Sequence, residues 1–158
     1  MQAKQARIAK EDPLTNQQLV PMDRARNRLA TLWLSAAALI FATLSIQSLR
    51  LVYGASVQEV WGWILPTLMP TLGMIVTVLG YTAVDEELSK AVVRRSFLAV
   101  AFWLSFCYLL LILMTIAMQP LSPANPVDLM RMSNLWLGPF QGLVASALGV
   151  LFVTKRQR

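Results

Sequence analysis

Four stretches of this chain carry no Asp, Glu, Lys or Arg: residues 29–49, 61–84, 96–119 and 134–154. A helix rises about 1.5 Å per residue and a bilayer's hydrocarbon core is about 30 Å thick, so about 20 apolar residues cross it. Each stretch reaches that length. Hydrophobic residues make up 56% of the chain and charged residues 14%, against about 25% charged in ordinary soluble domains. That much apolar surface does not fit inside one soluble core. In hydrocarbon every backbone polar group must be satisfied within the protein, which restricts spanning structure here to helices. The sequence predicts an all-α membrane protein with four transmembrane helices in an up-down bundle. A basic arm (1–28) precedes the membrane domain (29–154), and a basic tail (155–158) follows it.

Charge sets the expected orientation. The chain has 14 basic residues and a formal net charge of +6. Lys4, Arg7, Lys10, Arg24, Arg26 and Arg28 lie in the arm, Lys90, Arg94 and Arg95 in the middle loop, and Lys155, Arg156 and Arg158 in the tail. The other two loops hold one each, Arg50 and Arg131. The positive-inside rule then places both termini in the cytosol, most simply at a bacterial plasma (inner) membrane. Arg24, Arg26, Arg28, Lys155, Arg156 and Arg158 are expected to meet anionic lipid. No zinc-finger spacing or stacking-aromatic strand suggests nucleic acid.

The second span departs from a plain apolar helix. Residues 61–81 read WGWILPTLMPTLGMIVTVLGY, with Pro66-Thr67-Leu68-Met69 echoed by Pro70-Thr71-Leu72. Each proline removes a backbone donor, Pro66 from the carbonyl of Gly62 and Pro70 from that of Pro66. Thr67 and Thr71 hydroxyls can bond carbonyls one turn back; a neighbouring helix or water is the alternative. Pro66, Pro70, Gly73, Thr77 and Gly80 recur at steps of four and three, the period of a helix-packing seam. That placement predicts prolines facing protein rather than lipid.

The other spans carry related signals. The first has a seam at Thr31, Ser35, Ala38, Ala42 and Ser45, and the fourth has Gly138, Gly142, Ala145 and Gly149. Gly138-Pro139-Phe140-Gln141-Gly142 is a second proline-interrupted place and includes a Gly-x-x-x-Gly contact motif. With alternating spans the second and fourth run in the same direction, so their breaks meet at similar depth, and paired broken helices point to a binding site or gate. The candidate hinge, pore or packing residues are therefore Pro66, Thr67, Pro70, Thr71, Gly73, Thr77, Gly80, Gly138, Pro139, Gln141, Gly142 and Gly149. The third span lacks a continuous seam and is expected to face lipid most. Its Cys107, the only cysteine, reads as a small buried packing residue.

The loops are legible in part. Ser56-Val57-Gln58-Glu59 fits a capping box that starts the second helix. Asp85, Glu86 and Glu87 precede Lys90, Arg94 and Arg95; consecutive carboxylates on a helix point apart, so a solvated turn or short helix is expected rather than a metal or catalytic site. Asn125-Pro126-Val127-Asp128 predicts a short interfacial helix from Pro126.

The chain has no histidine, which removes the commonest general base and metal ligand. With no Asp, Glu, Lys, Arg or His inside a span, proton coupling and intramembrane acid–base catalysis are disfavoured, while passive conduction is not. Walker, zincin and nucleophile-elbow motifs are absent. No catalytic, cofactor or metal residues are assigned. The leading expectation is a non-enzymatic membrane subunit that binds itself or another membrane protein, most concretely as an oligomeric pore or membrane effector. The alternative is a passive transporter or small-molecule binder with its site at the two breaks. A lipid head-group enzyme built on Asp85, Glu86 and Glu87 ranks last.

Overall fold

The computed structural model describes residues 19–84, 92–119 and 125–153. Four long helices dominate it: α1 (Met22–Leu49), α2 (Val57–Val84), α3 (Arg95–Met118) and α4 (Pro126–Val153). All four are long and apolar enough to cross a membrane. A three-residue strand β1 (Leu19–Pro21) precedes α1, and β2 (Val92–Arg94) precedes α3. The two pair antiparallel, Val20 opposite Val93.

Several helix ends follow from local chemistry. Pro21 stands just before α1 with φ −54°, so the helix begins where proline's fixed φ and missing N–H cost nothing. It starts within the basic arm, ahead of residue 29, because helical hydrogen bonding continues past the apolar stretch. The far end of α1 closes in a Schellman motif: Leu51 N–H donates to Ser48 O at 3.1 Å and Val52 N–H to Gln47 O at 3.1 Å. The motif needs a left-handed residue, and Leu51 supplies it with φ 57°. At the start of α4, Leu129 N–H donates to Asn125 O at 3.1 Å, with Pro126 and Asp128 in the first turn. The expected short interfacial helix does not form separately; Pro126–Val153 is one helix of 28 residues, since nothing between Met132 and Leu135 interrupts it.

Two other expectations change. A 3-10 turn (Gly54–Ser56) leads into α2 at the place expected, but the Glu59 carboxylate bonds Arg131 on α4 at 3.1 Å rather than closing a capping box with Ser56. Val92–Arg94 is a strand rather than a turn or helix, because Leu19–Pro21 offers it a partner. Residues 85–91, with Asp85, Glu86, Glu87 and Lys90, lie outside the described residues, as do the tail cations.

In the bundle α1 packs on α2 and α3, and α4 packs on the same two from the opposite corner. The core is filled by large side chains, Leu29, Trp33, Ile40 and Leu44 on α1, Ile64, Leu68 and Ile75 on α2, Tyr108, Ile112 and Ile116 on α3, and Leu137, Val144 and Leu148 on α4. Helix α3 is no more lipid-facing than the rest: a third of its apolar window is buried, as for α1, and α4 has the smallest share at 28%. Its small residues Ala101 and Ser105 are fully buried and let neighbours approach. Cys107 instead points outward.

At the end of the bundle carrying β1, Arg26 is only 3% exposed. Its Nε donates to Leu151 O at 3.1 Å. Leu151 lies in the last turn of α4, whose final carbonyls have no helical donor and whose dipole favours a cation. Arg26 is thus an internal clamp between α1 and α4 rather than a lipid contact.

Candidate functional site

Helices α2 and α4 meet along a ladder of side chains. Glu59 pairs with Arg131 at 3.1 Å, Trp63 Nε1 donates to Asn134 Oδ1 at 3.0 Å, and Gln141 Nε2 donates to Thr67 O at 3.2 Å. The numbers rise together on both helices, so the two run parallel where they touch. The stretch holding Pro66 and Pro70 therefore lies beside the stretch holding Pro139, as the sequence predicts.

The prolines do not break the helices. Pro66 and Pro70 lie inside a continuous α2, and Pro139 inside a continuous α4. The carbonyls deprived of a donor belong to Gly62, Pro66 and Leu135, all on outward faces. The polar side chains address their inward neighbours instead. The Thr67 hydroxyl donates to Trp63 O at 2.7 Å. Gln141 and the Tyr108 hydroxyl, the latter at 3.4 Å, both donate to Thr67 O. Thr71 is buried one turn further along the same face. These contacts hold the kink-prone turn within the bundle, in the way neighbouring helices and Thr side chains tolerate proline in membranes.

Tyr108 ties the four helices together. Its ring stacks on Phe140 of α4 (centroids 6.1 Å apart, planes at 27°) and lies tilted against Trp33 of α1 (6.0 Å, 34°), while its hydroxyl reaches α2. The indole Nε1 of Trp33 and the hydroxyl of Ser105 are buried with no hydrogen-bond partner. Sequence reasoning did not single out Tyr108, Trp33 or Ser105 as site residues. The available signal was a tyrosine in the middle of an apolar span, whose hydroxyl must find a partner when buried. The cluster offers neutral donors and acceptors and no ionisable carboxylate or amine. It can orient a neutral polar group or lock helices together.

The remaining candidates face the other way. Pro66, Pro70, Gly73, Thr77 and Gly80 are all exposed on the outside of α2, and Gly138, Pro139 and Gly142 on the outside of α4, with Gly149 half-buried. The expectation that the α2 prolines face protein does not hold within one chain. The α1 seam of Thr31, Ser35, Ala38, Ala42 and Ser45 is also entirely exposed. The reason is volume: large side chains fill the core, and the small residues sit on the opposite faces. A Cβ added at Gly73, Gly80, Gly138, Gly142 or Gly149 would meet nothing within 4 Å, so no internal close approach needs these glycines. Pro66 and Pro70 stand one turn on from Trp63 and Thr67, and Gly138 and Ala145 one turn to either side of Gln141. Both seams therefore border the same α2–α4 line of contact on its outer side.

Among the described residues no group of three or more His, Cys, Asp or Glu is placed to hold a metal ion. A polar hollow of about 630 Å³ lies at the end of the bundle opposite β1, where Tyr53, Glu59, Asp128 and Arg131 line it. There Tyr53 donates its hydroxyl to Gln47, and burial pushes that hydroxyl's pKa up to about 12.

Fold and composition together define an integral membrane protein with four apolar helices. No protein-family model, curated protein or solved structure matches the chain.

Proposed function

We propose that this protein is a non-enzymatic membrane subunit that associates with further copies of itself or with another membrane protein, most concretely as an oligomeric pore or membrane effector. The observation that carries this reading is the outward placement of the small-residue seams, with open space at every seam glycine. Between lipid-embedded helices there is no hydrophobic driving force, so association depends on close van der Waals packing, and small residues permit it. A seam that serves no internal contact is available for an external one. The proposed orientation, with both termini in the cytosol of a bacterial inner membrane, rests on the basic residues. It gains support from β1 pairing with β2, which brings the arm and the middle loop to one end. Light scattering of the detergent-solubilised chain over a range of concentrations tests association; a strict monomer at the highest concentration refutes it.

A second reading, a passive transporter or small-molecule binder, is favoured by the polar cluster of Thr67, Tyr108 and Gln141 beside the unpartnered Trp33 and Ser105 atoms. It requires that Gln141→Leu change solute flux into vesicles while the fold persists. Unchanged flux across a solute panel leaves the association reading alone.

A further inference from the structure

A groove of about 400 Å³ opens on the outside of the bundle where the starts of α1 and α3 lie side by side. Arg28 and Arg95 stand at its rim, and Leu98, Ala99, Phe102 and Trp103 form its floor and wall. Among the described residues neither guanidinium on this rim has an acidic partner: the one ion pair there, Glu59–Arg131, lies at the other end of the bundle. Arg95 is also the first residue of α3, and that helix start has no acidic residue in its first turn and no side-chain cap. Its free N–H groups and positive dipole end add to the same field. Below the rim the lining is wholly apolar. From Arg95 to Phe102 the helix descends about 10 Å, which is the upper part of one bilayer leaflet. Trp103 is 61% exposed on that wall, about 12 Å below Arg95 and so at the depth of the acyl chains.

A cationic rim over an apolar trough, at leaflet depth, matches one class of molecule. We infer that this groove is a binding site for an anionic glycerophospholipid, with the phosphate between Arg28 and Arg95 and one acyl chain along Leu98, Phe102 and Trp103. Charge complementarity selects the head group, since a zwitterionic lipid brings its own cation to a rim that already holds two. Basic pockets between membrane helices recognise acidic head groups in this way. The site differs from diffuse attraction to the basic arm, because Arg26 is used internally and the groove needs Arg95 from another helix. It does not depend on self-association; the proposed orientation decides only which leaflet supplies the lipid.

Trp103 provides the readout. The full chain is reconstituted into phosphatidylcholine vesicles containing phosphatidylglycerol, with bromine on the acyl chains of one lipid or the other. The Trp103 signal is obtained by difference from Trp103→Phe. Per mole of lipid, brominated phosphatidylglycerol should quench Trp103 several-fold more than brominated phosphatidylcholine. Each arginine near an acidic lipid surface is worth about fivefold in relative affinity. Arg28→Gln with Arg95→Gln should therefore abolish the preference, and Arg28→Lys with Arg95→Lys should keep most of it. The off-groove pair Arg24→Gln with Arg50→Gln should leave it unchanged. Equal quenching by the two lipids in the native chain overturns the inference, as does an equal loss of preference in the off-groove pair. If the double Gln variant does not fold, the native chain still decides. Its preference must collapse in 1 M salt, where the screening length falls to about 3 Å, and a preference that survives rules out the ionic rim.

Discussion

The seam glycines lead to a prediction in which two measurements move in opposite directions. Glycine inside a helix costs about 0.5–1 kcal/mol relative to alanine through backbone entropy. A methyl group at Gly73, Gly80, Gly138, Gly142 or Gly149 meets no neighbouring atom within 4 Å. In the isolated chain each Gly→Ala replacement should therefore be stabilising. Gly73→Ala with Gly142→Ala, on separate helices, should raise stability by about 1–2 kcal/mol, as independent sites add. Association should respond with the other sign. A leucine at Gly73 or Gly142 holds a docking helix away. Losing about ten atom pairs at about 0.1–0.2 kcal/mol each weakens association by about 1–2 kcal/mol, or roughly tenfold. Stability is read from tryptophan fluorescence during unfolding in mixed detergent–dodecyl sulfate micelles at low protein concentration. Association is read from the midpoint of a light-scattering concentration series. Destabilisation of the dilute monomer by alanine would mean that the glycines pack internally. If alanine stabilises and leucine leaves the midpoint unmoved, the seams carry no association.

Four further outcomes follow from single contacts. Leu51 occupies the left-handed position of the Schellman motif with φ 57°, which costs an L-residue about 1–2 kcal/mol; Leu51→Gly should stabilise by about 1 kcal/mol in the same unfolding assay. Arg26→Ala leaves the Leu151 carbonyl unpaired in a buried site and should destabilise by about 2 kcal/mol, with partial recovery in Arg26→Lys because charge is kept at the end of α4. The Ser105 hydroxyl is buried without a partner, so Ser105→Ala should be neutral or stabilising by up to about 1 kcal/mol; a clear loss would reveal a hydrogen-bonded occupant. Tyr53 has its pKa raised from 10.0 to about 12 by burial. The folded state favours the neutral hydroxyl, so its contribution is complete below about pH 10 and is lost as pH rises through about 12, a decline that Tyr53→Phe should lessen.

The four spans were legible because lipid imposes a length and forbids charge, and both constraints are local to the sequence. The meeting of the 66–73 and 138–142 stretches was legible too, since alternation makes alternate helices parallel. Facing was not. A three-and-four period of small residues marks a stripe, but the same helix carries a second stripe of large ones at similar spacing: Ile64, Leu68, Leu72 and Ile75 on α2. Periodicity alone does not say which stripe turns inward. That depends on how much volume three neighbours can supply, and here Trp33, Tyr108 and the isoleucines supply it. Helix α3 was misjudged on the same ground, by scoring its lack of small residues as lack of contact. The β1–β2 pair escaped because each strand is three residues long and forms only when bundle assembly brings 19–21 and 92–94 together.

The outward seams also bear on what kind of association they permit. Polar groups on a lipid-facing surface are costly unless satisfied, and several outward hydroxyls here are satisfied within their own helix. Ser35 donates to Leu32 O at 3.1 Å, Thr43 to Leu39 O at 2.8 Å and Ser146 to Gly142 O at 2.8 Å. A hydroxyl folded back in this way adds little to a helix–helix contact beyond its small size. A second chain can therefore pack on these three hydroxyls without breaking a hydrogen bond. Association of this kind is governed by shape and concentration, so a graded equilibrium rather than an obligate complex is expected. Where Pro139 frees only the Leu135 carbonyl on α4, Pro66 and Pro70 free two on the outer face of α2, those of Gly62 and Pro66. A partner that brings a side-chain donor to those two carbonyls gains what lipid cannot give. It should be held more tightly on α2 than on the outer stripe of α1, which has no proline.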